Sequence, residues 1–176
     1  ASRAKSASDA VQWMGRLVER FGYIDSGRTY AVADPSEAWV VEVVRGRRWV
    51  AQRVPDDQVV VLPARHVIGE VNLDDTEDFR ASPDLVSYAV KRGWFDPGKG
   101  KPFNFREVYQ TAERTAPDRR HFRGQEIVTG KTGTWPPAAP LPFAVTPAKK
   151  LSVADIAAFL RDKDGRVKGV AIREGF

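Results

Sequence analysis

Apolar residues near the start of the chain recur every three or four positions, between polar residues that face the other way. The spacing places four of them on one face of a helix: Val11, Met14, Val18 and Phe21. Ser6 and Asp9 have the spacing of a capping box before this helix. Gly22 stands where a left-handed residue would end it. The sequence therefore predicts an amphipathic helix that covers a core.

After residue 30 the pattern changes to short β-rich runs separated by turn residues. Four runs fit an antiparallel meander, at residues 30–34, 38–44, 48–54 and 58–62. Arg45, Gly46 and Arg47 predict a tight hairpin between the second and third runs. The second run is apolar on both faces, which is typical of a central strand covered on both sides. A further short strand is expected at residues 67–71.

Glu42 interrupts the apolar second run. A carboxylate in a central strand needs a partner, and Arg53 on the neighbouring run is the candidate. We interpret the pair as a structural ion pair in preference to a substrate contact.

Helices are also predicted after the meander. Pro83 favours a helix start that runs to about residue 91, residues 104–112 fit a short helix, and Ser152 with Asp155 caps a last one. Residues 117–150 are rich in Pro and Gly and predict an irregular connection. Residues 163–166 predict a surface turn before a strand-like tail. The class is α+β, a single domain in which residues 1–116 form a helix and meander core and residues 151–176 a terminal helix and tail.

Composition narrows the possible chemistry. The 176 residues include no cysteine and two histidines, which excludes a cysteine nucleophile within them and leaves a metal site without its usual ligands. We expect no metal and no cofactor. A net charge of +5 is modest, and Asp118 and Glu126 interrupt the basic stretch 114–131, so nucleic-acid binding is not expected. No apolar run suggests a membrane span or a signal peptide, and the compartment stays open with the cytoplasm as default.

Several segments together resemble the cysteine dipeptidases of the dipeptidase A type, which belong to the N-terminal-nucleophile hydrolase superfamily. The most specific are ADPSEAWVVE at residues 33–42 and WVAQRVPDD at residues 49–57. Weaker matches follow at residues 67–73, 82–84, 92–94, 103–106, 141–143 and 149–153. The resemblance runs from about Ala7 to Asp162 and covers the middle segment of such enzymes.

The resemblance implies a partial αββα sandwich with a mainly antiparallel sheet and flanking helices. It also implies dipeptide hydrolysis by a cysteine at the mature N-terminus, whose own α-amino group is the general base. That cysteine region is absent here. The chain is therefore expected to be part of a larger dipeptidase and inactive alone, with a dipeptide as the substrate of the intact enzyme.

Two positions are expected to line the site of the intact enzyme. Ala64 falls where the resemblance places an asparagine that donates to the oxyanion, a bond that alanine cannot make. Arg123 lies in a segment similar to the family's R-x-W-R motif and is the candidate guanidinium. His121 is expected at the surface. The aromatic residues Trp39, Trp49 and Trp94 are expected in the core.

Two readings of the whole chain stay open. The first is a piece of a dipeptidase, whose incomplete sheet would favour self-association or a complementary chain. The second is a non-catalytic binding module derived from the same fold, which Ala64 in place of asparagine favours.

Overall fold

A computed structural model describes residues 4–162 of the chain. These residues form two compact units. The first contains the residues up to Asp56 together with Ala64–Ala116, and the second contains Asp57–Pro63 and the residues from Pro117 onward. The turn and tail predicted at residues 163–176 lie outside the described residues.

The first unit is built on a four-stranded antiparallel sheet whose strands are adjacent in chain order. They are β1 (Tyr23–Ala33), β2 (Ala38–Gly46), β3 (Trp49–Arg53) and β4 (Phe79–Ala81). β2 lies between β1 and β3, and its residues 39–44 are all buried, which confirms the predicted central strand. The hairpin between β2 and β3 is also confirmed. Gly46 takes a φ of 98° there, a conformation that glycine adopts without steric cost.

Two predicted strands are wrong. Residues 58–62 belong to the second unit, where Val59 makes only an isolated bridge to Val145. Pro55 and Pro63 flank this run, and because proline has no N–H it limits the length of a ladder. Residues 67–71 make one bridge, between Glu70 and Asn104, because this segment forms most of its bonds with backbone outside the sheet.

Helix α1 (Ala7–Phe21) begins and ends where the sequence predicts. The Ser6 hydroxyl accepts the Asp9 N–H at 3.1 Å, and Gly22 ends the helix with a φ of 77° while its N–H bonds Val18 O. Val11 is fully buried. Phe21, expected on the inner face, is 70% exposed at the last helical residue, and it continues an exposed apolar stripe with Trp13 and Leu17.

The inner face of α1 packs on one face of the sheet. Ala7 and Val11 lie in a buried cluster with five strand residues: Trp39, Val41, Val43, Trp49 and Ala51. Each fully buried valine of such a cluster contributes about 1.5–3 kcal/mol relative to an exposed one. Trp49 is fixed further by its indole N–H, which donates to Glu19 Oε1 of α1 at 2.8 Å. This ring lies directly against Gly15, where a Cβ would overlap it.

Short helices complete the first unit: α2 (Leu85–Lys91), a 3₁₀ turn (Pro97–Lys99), α3 (Phe105–Tyr109) and α4 (Ala112–Thr115). Tyr109 connects α3 with α2, since its hydroxyl donates to Leu85 O at 2.7 Å and its ring contacts Phe105 and Trp94. The core positions of Trp39 and Trp49 are confirmed. Trp94 is 47% exposed, because one side of it covers Tyr109 while the other faces solvent.

The second unit contains two helices, α5 (Arg119–Thr129) and α6 (Val153–Leu160). The prediction that residues 117–150 are irregular is therefore wrong in its first third. Asp118 caps α5 by accepting the Arg120 N–H at 2.8 Å, and Gly130 ends it with a φ of 66°. At α6 the predicted capping box is confirmed, with Ser152 and Asp155 each accepting the other's backbone N–H.

The α+β class and the mainly antiparallel sheet are confirmed. The partial αββα sandwich and the single domain stay predictions. Among residues 4–162, none of the helices has the length and apolar character that crossing a bilayer requires.

Gly15→Ala tests the contact between α1 and Trp49. A glycine-to-alanine change inside an exposed helix stabilises it by about 1 kcal/mol. Here the added methyl group would overlap the Trp49 ring, and overpacking of this kind costs about 1–3 kcal/mol. We expect urea unfolding to show a lower free energy of unfolding for G15A.

Gln12→Ala on the exposed face of α1 is the control, and its free energy of unfolding should stay within about 0.5 kcal/mol of the original protein. A G15A protein as stable as the original would show that Trp49 does not pack against this position.

Candidate functional site

The two residues predicted to line a site do not fall in the same compact unit. Ala64 is exposed and opens the second stretch of the first unit, whereas Arg123 lies on α5 of the second unit.

Arg123 is held by two carboxylates. Its Nε donates to Asp162 Oδ2 at 3.1 Å, and its Nη1 lies 3.6 Å from Glu126 Oε2. Its neighbour His121, expected at the surface, is only 3% exposed. The Nε2 of His121 lies 3.0 Å from the amide nitrogen of Gln125, which also donates to Pro142 O. The basic residues therefore lie on helix α5, where Arg123 and His121 both contact polar side chains.

Glu42 is the most unusual polar residue of the first unit. It is fully buried in the middle of β2 and accepts three hydrogen bonds. Oε1 accepts the Val67 N–H at 2.6 Å and the Thr29 hydroxyl at 3.3 Å, and Oε2 accepts the Ile68 N–H at 3.2 Å. Two successive backbone N–H groups thus bind the two oxygens of one carboxyl group.

The predicted ion pair between Glu42 and Arg53 is wrong. Arg53 lies opposite Trp39 in the ladder, whereas Glu42 lies opposite Val50. Directly opposed residues share a face, and residues 39 and 42 point to opposite faces of β2. Arg53 therefore lies on the other side of the sheet, where it pairs with Asp56 at 2.6 Å.

The segment that Glu42 binds begins at Ala64 and is fixed along its length. At its start, the Arg65 guanidinium donates to Glu113 O at 2.7 Å. Beyond Ile68, the N–H groups of Phe105 and Arg106 donate to Gly69 O and Ile68 O. The segment Ala64–Gly69 is therefore held between β2 and the start of α3, and the Glu42 carboxyl binds it at Val67 and Ile68.

Burial dominates the electrostatics of Glu42. It raises the pKa of the carboxyl to about 8, against the opposing effects of the Val67 and Ile68 N–H groups, the Thr29 hydroxyl and Arg106. At neutral pH the carboxyl holds a proton in much of the population. When the carboxyl is protonated, its O–H can donate to Thr29 Oγ1, which lies 3.3 Å from Glu42 Oε1.

His66, next to the two donors, is also buried. Burial lowers the pKa of its imidazole to about 4, and Arg114 adds to this, while a hydrogen bond to the Val43 backbone opposes it. Its ring packs on Phe105 with centroids 5.4 Å apart. A Cβ at Gly27 would lie 3.1 Å from His66 Nε2, so any side chain at this position of β1 would crowd the ring. His66 is therefore neutral at physiological pH.

The Glu42 carboxyl and the three groups that donate to it hold the loop against the sheet. We call this set the Glu42 clamp: Thr29, Glu42, Val67 and Ile68. It supplies hydrogen bonds to a loop, and the chain contains no cysteine that could act as a nucleophile beside it. Within residues 4–162, no three His, Asp or Glu side chains lie together as ligands for a metal ion.

The sequence singles out Glu42 but does not identify its partners. A carboxylate in an apolar run is visible in the pattern. Its donors are backbone N–H groups about 25 residues away, and every residue except proline has such a group. The sequence therefore carried no signal that could distinguish Val67 and Ile68.

Comparison with known proteins places this geometry in context. The sequence model of peptidase family C69 matches residues 2–164. A probable dipeptidase of Salmonella dublin is 28% identical over 165 residues, which cover 90% of this chain and 37% of the relative. A probable dipeptidase B of Lactococcus lactis subsp. lactis (strain IL1403) is 30% identical over 159 residues, which cover 86% of this chain and 32% of the relative. Dipeptidase A of Lactobacillus helveticus is 38% identical over 80 residues, which cover 46% of this chain and 17% of the relative. The chain thus spans about a third of the length of the Salmonella dublin and Lactococcus lactis relatives.

The pKa values of Glu42 and His66 predict an unusual dependence of stability on pH. The raised pKa of Glu42 makes folding less favourable as pH rises from 4.5 to about 8. The lowered pKa of His66 makes folding more favourable as pH rises from about 4 to 6.5. The two effects oppose each other between pH 4.5 and 6.5. Above pH 6.5 the Glu42 effect alone of these two remains, with a loss on the order of 1 kcal/mol per pH unit up to about pH 8.

Urea unfolding at several pH values would measure this profile. Glu42→Gln should remove the decline between pH 6.5 and 8, whatever its effect on absolute stability. His66→Phe is the control. It should keep the decline between pH 6.5 and 8 and remove the opposing His66 effect, so that stability also declines between pH 4.5 and 6.5. A decline of equal slope in E42Q would show that another group titrates.

Proposed function

Since this chain belongs to peptidase family C69, we propose that it forms part of a dipeptidase that cleaves the amide bond of dipeptides through a cysteine nucleophile. The observation that carries the proposal is the family match over residues 2–164, together with relatives named as dipeptidases. The geometry is compatible with it, because the clamp fixes Val67 and Ile68 in the core while the same loop begins at the exposed Ala64.

In the proposed reaction a cysteine thiolate attacks the dipeptide carbonyl, and its α-amino group takes up the thiol proton. The carbon–sulfur bond forms as the carbonyl π electrons move to oxygen. The intermediate collapses with loss of the amine, which leaves with a proton, and water then hydrolyses the thioester. Because the 176 residues contain no cysteine, the nucleophile comes from polypeptide outside them, in the same chain or in a complementary one.

The residues of this chain supply the scaffold and part of the lining. We assign the exposed Ala64, at the start of the clamped loop, to the oxyanion side of the site. Arg123, which the resemblance marks as the candidate guanidinium, lies on α5 of the second unit. Because Asp162 and Glu126 neutralise its charge, it would act as a directed N–H donor and not as a counter-charge. The sheet with α1 on one face would be one half of an αββα sandwich.

The native polypeptide that contains these residues provides the direct test. Purified from its source with antibodies raised against this chain, it should be longer than 176 residues and begin with cysteine. It should hydrolyse Ala-Ala, and iodoacetamide should abolish the activity because it alkylates the thiol. The measurements are mass spectrometry of the N-terminus and release of free alanine.

A chelator is the control, since it should leave a thiol-dependent activity unchanged. The 176-residue chain assayed alone should release no alanine above background. Hydrolysis by this chain alone, or hydrolysis by the native polypeptide that survives alkylation, would contradict the proposal.

The assignment of Ala64 has its own test in the native polypeptide. Ala64→Asn introduces an amide donor where the oxyanion is expected, and one such donor is worth about a hundredfold to a thousandfold in kcat. We expect A64N to raise kcat for Ala-Ala by an amount of this order, measured under saturating substrate.

Ala64→Asp is the matched control because it has nearly the same shape but cannot donate when ionised. It should not raise kcat. If A64N and A64D change kcat equally, or A64N leaves it unaltered, position 64 does not face the oxyanion.

A further inference from the structure

A carboxyl group buried in a central strand lowers the free energy of unfolding relative to an apolar side chain of similar size. Moving an ionised carboxylate out of water costs several kcal/mol unless its bonds compensate, and buried polar groups are often less stabilising than apolar residues of similar size. Val40 and Val44, two positions away on β2, show that apolar residues fill this face of the sheet. A valine at position 42 would complete the same row.

The hydrogen bonds of Glu42 are all directed at holding other parts of the chain. The Val67 and Ile68 N–H groups reach different oxygens of the same carboxyl, so two successive peptide planes are fixed relative to β2. Thr29 fixes the carboxyl from the neighbouring strand, directly across the ladder. A carboxyl group has two oxygens that can accept at this spacing even when one of them carries a proton, whereas an amide would place its NH₂ against one of the N–H groups.

Ala64 lies three residues before the first of these donors. The backbone between them has no regular secondary structure. Beyond Ile68 the loop is fixed by bonds from Phe105 and Arg106. The Glu42 carboxyl is thus the contact that ties the part of the loop nearest Ala64 to the rigid sheet.

We infer that Glu42 is a positioning residue for amide hydrolysis: through the Val67 and Ile68 N–H groups it holds the loop so that position 64 stays at the oxyanion side of the site. The inference rests on the proposed function. The raised pKa of Glu42 supports it, because burial costs this carboxyl more than its hydrogen bonds recover. A buried carboxyl that costs stability in this way fits a residue whose role is to position a loop of the active site.

The test uses three variants of the native polypeptide: Glu42→Gln, Glu42→Asp and Val50→Ala. E42Q loses one of the two acceptor oxygens. E42D keeps both, but it is one methylene shorter and it serves if E42Q fails to fold. V50A is the matched control, because Val50 is fully buried and lies directly opposite Glu42 on the same face, yet makes no hydrogen bond to the loop.

Two readouts separate positioning from a general loss of stability. The first is the division between kcat and KM for Ala-Ala, measured below the unfolding temperature and normalised to titrated thiol. E42Q should lower kcat about tenfold to a hundredfold with KM changed less than about threefold, since the reacting groups are misplaced while substrate still binds. E42D should lower kcat by less. V50A should keep kcat even where it lowers the melting temperature.

The second readout is hydrogen exchange. The amides of Val67 and Ile68 should exchange at least about tenfold faster in E42Q, while those of α1 keep their protection. An unchanged kcat in E42Q and E42D, or an equal loss in V50A, would overturn the inference while leaving the dipeptidase intact. A native polypeptide without any hydrolysis would instead remove the proposed function, and this inference with it.

Discussion

The bond between one buried carboxyl group and two successive backbone N–H groups is the constraint on which the first unit depends. Glu42 connects three parts of the chain that are far apart in sequence: β1 through Thr29, β2 through its own backbone, and the loop through Val67 and Ile68. Without an acceptor at this place, two buried N–H groups would lack partners, and each such loss costs about 1–3 kcal/mol. The loop could then lie on the sheet only by leaving polar atoms unsatisfied.

The two faces of the sheet are therefore used differently. One is covered by α1 through close apolar packing, where Gly15 admits the Trp49 ring. The other carries the Glu42 clamp and the loop above it, supported by α3 and the rings of Phe105 and Tyr109. Both faces bury apolar side chains, but only the second combines them with a buried carboxyl group that binds the backbone of a loop. This division fits a scaffold that must hold one loop at a fixed place.

Local features could be predicted from the sequence and distant contacts could not. Ser6, Ser152 and Gly22 were recognised because caps depend on residues within one helical turn. Helix α5 was missed because its buried positions are His121, Gly124, Gln125 and Val128, which form no apolar stripe. Within the candidate site, Ala64 and Arg123 follow from the family resemblance and not from the pattern of the residues. The pattern singles out Glu42, but the predicted partner Arg53 is wrong, because Arg53 lies opposite Trp39 and residues 39 and 42 point to opposite faces of β2.

The route of the chain between the two units has a practical consequence for dissecting the protein. Asp57–Pro63 leaves the first unit and belongs to the second, after which the chain returns at Ala64. Val59 exchanges backbone hydrogen bonds with Val145, and Val61 packs where α5 has Gly124. A single cut after Ala116 would leave residues 57–63 on the N-terminal fragment, without their contacts to residues 124 and 145. The C-terminal fragment would then lack the buried side chain of Val61. The two units are thus interleaved, and isolating either one intact would require excising or rejoining the chain at both crossings.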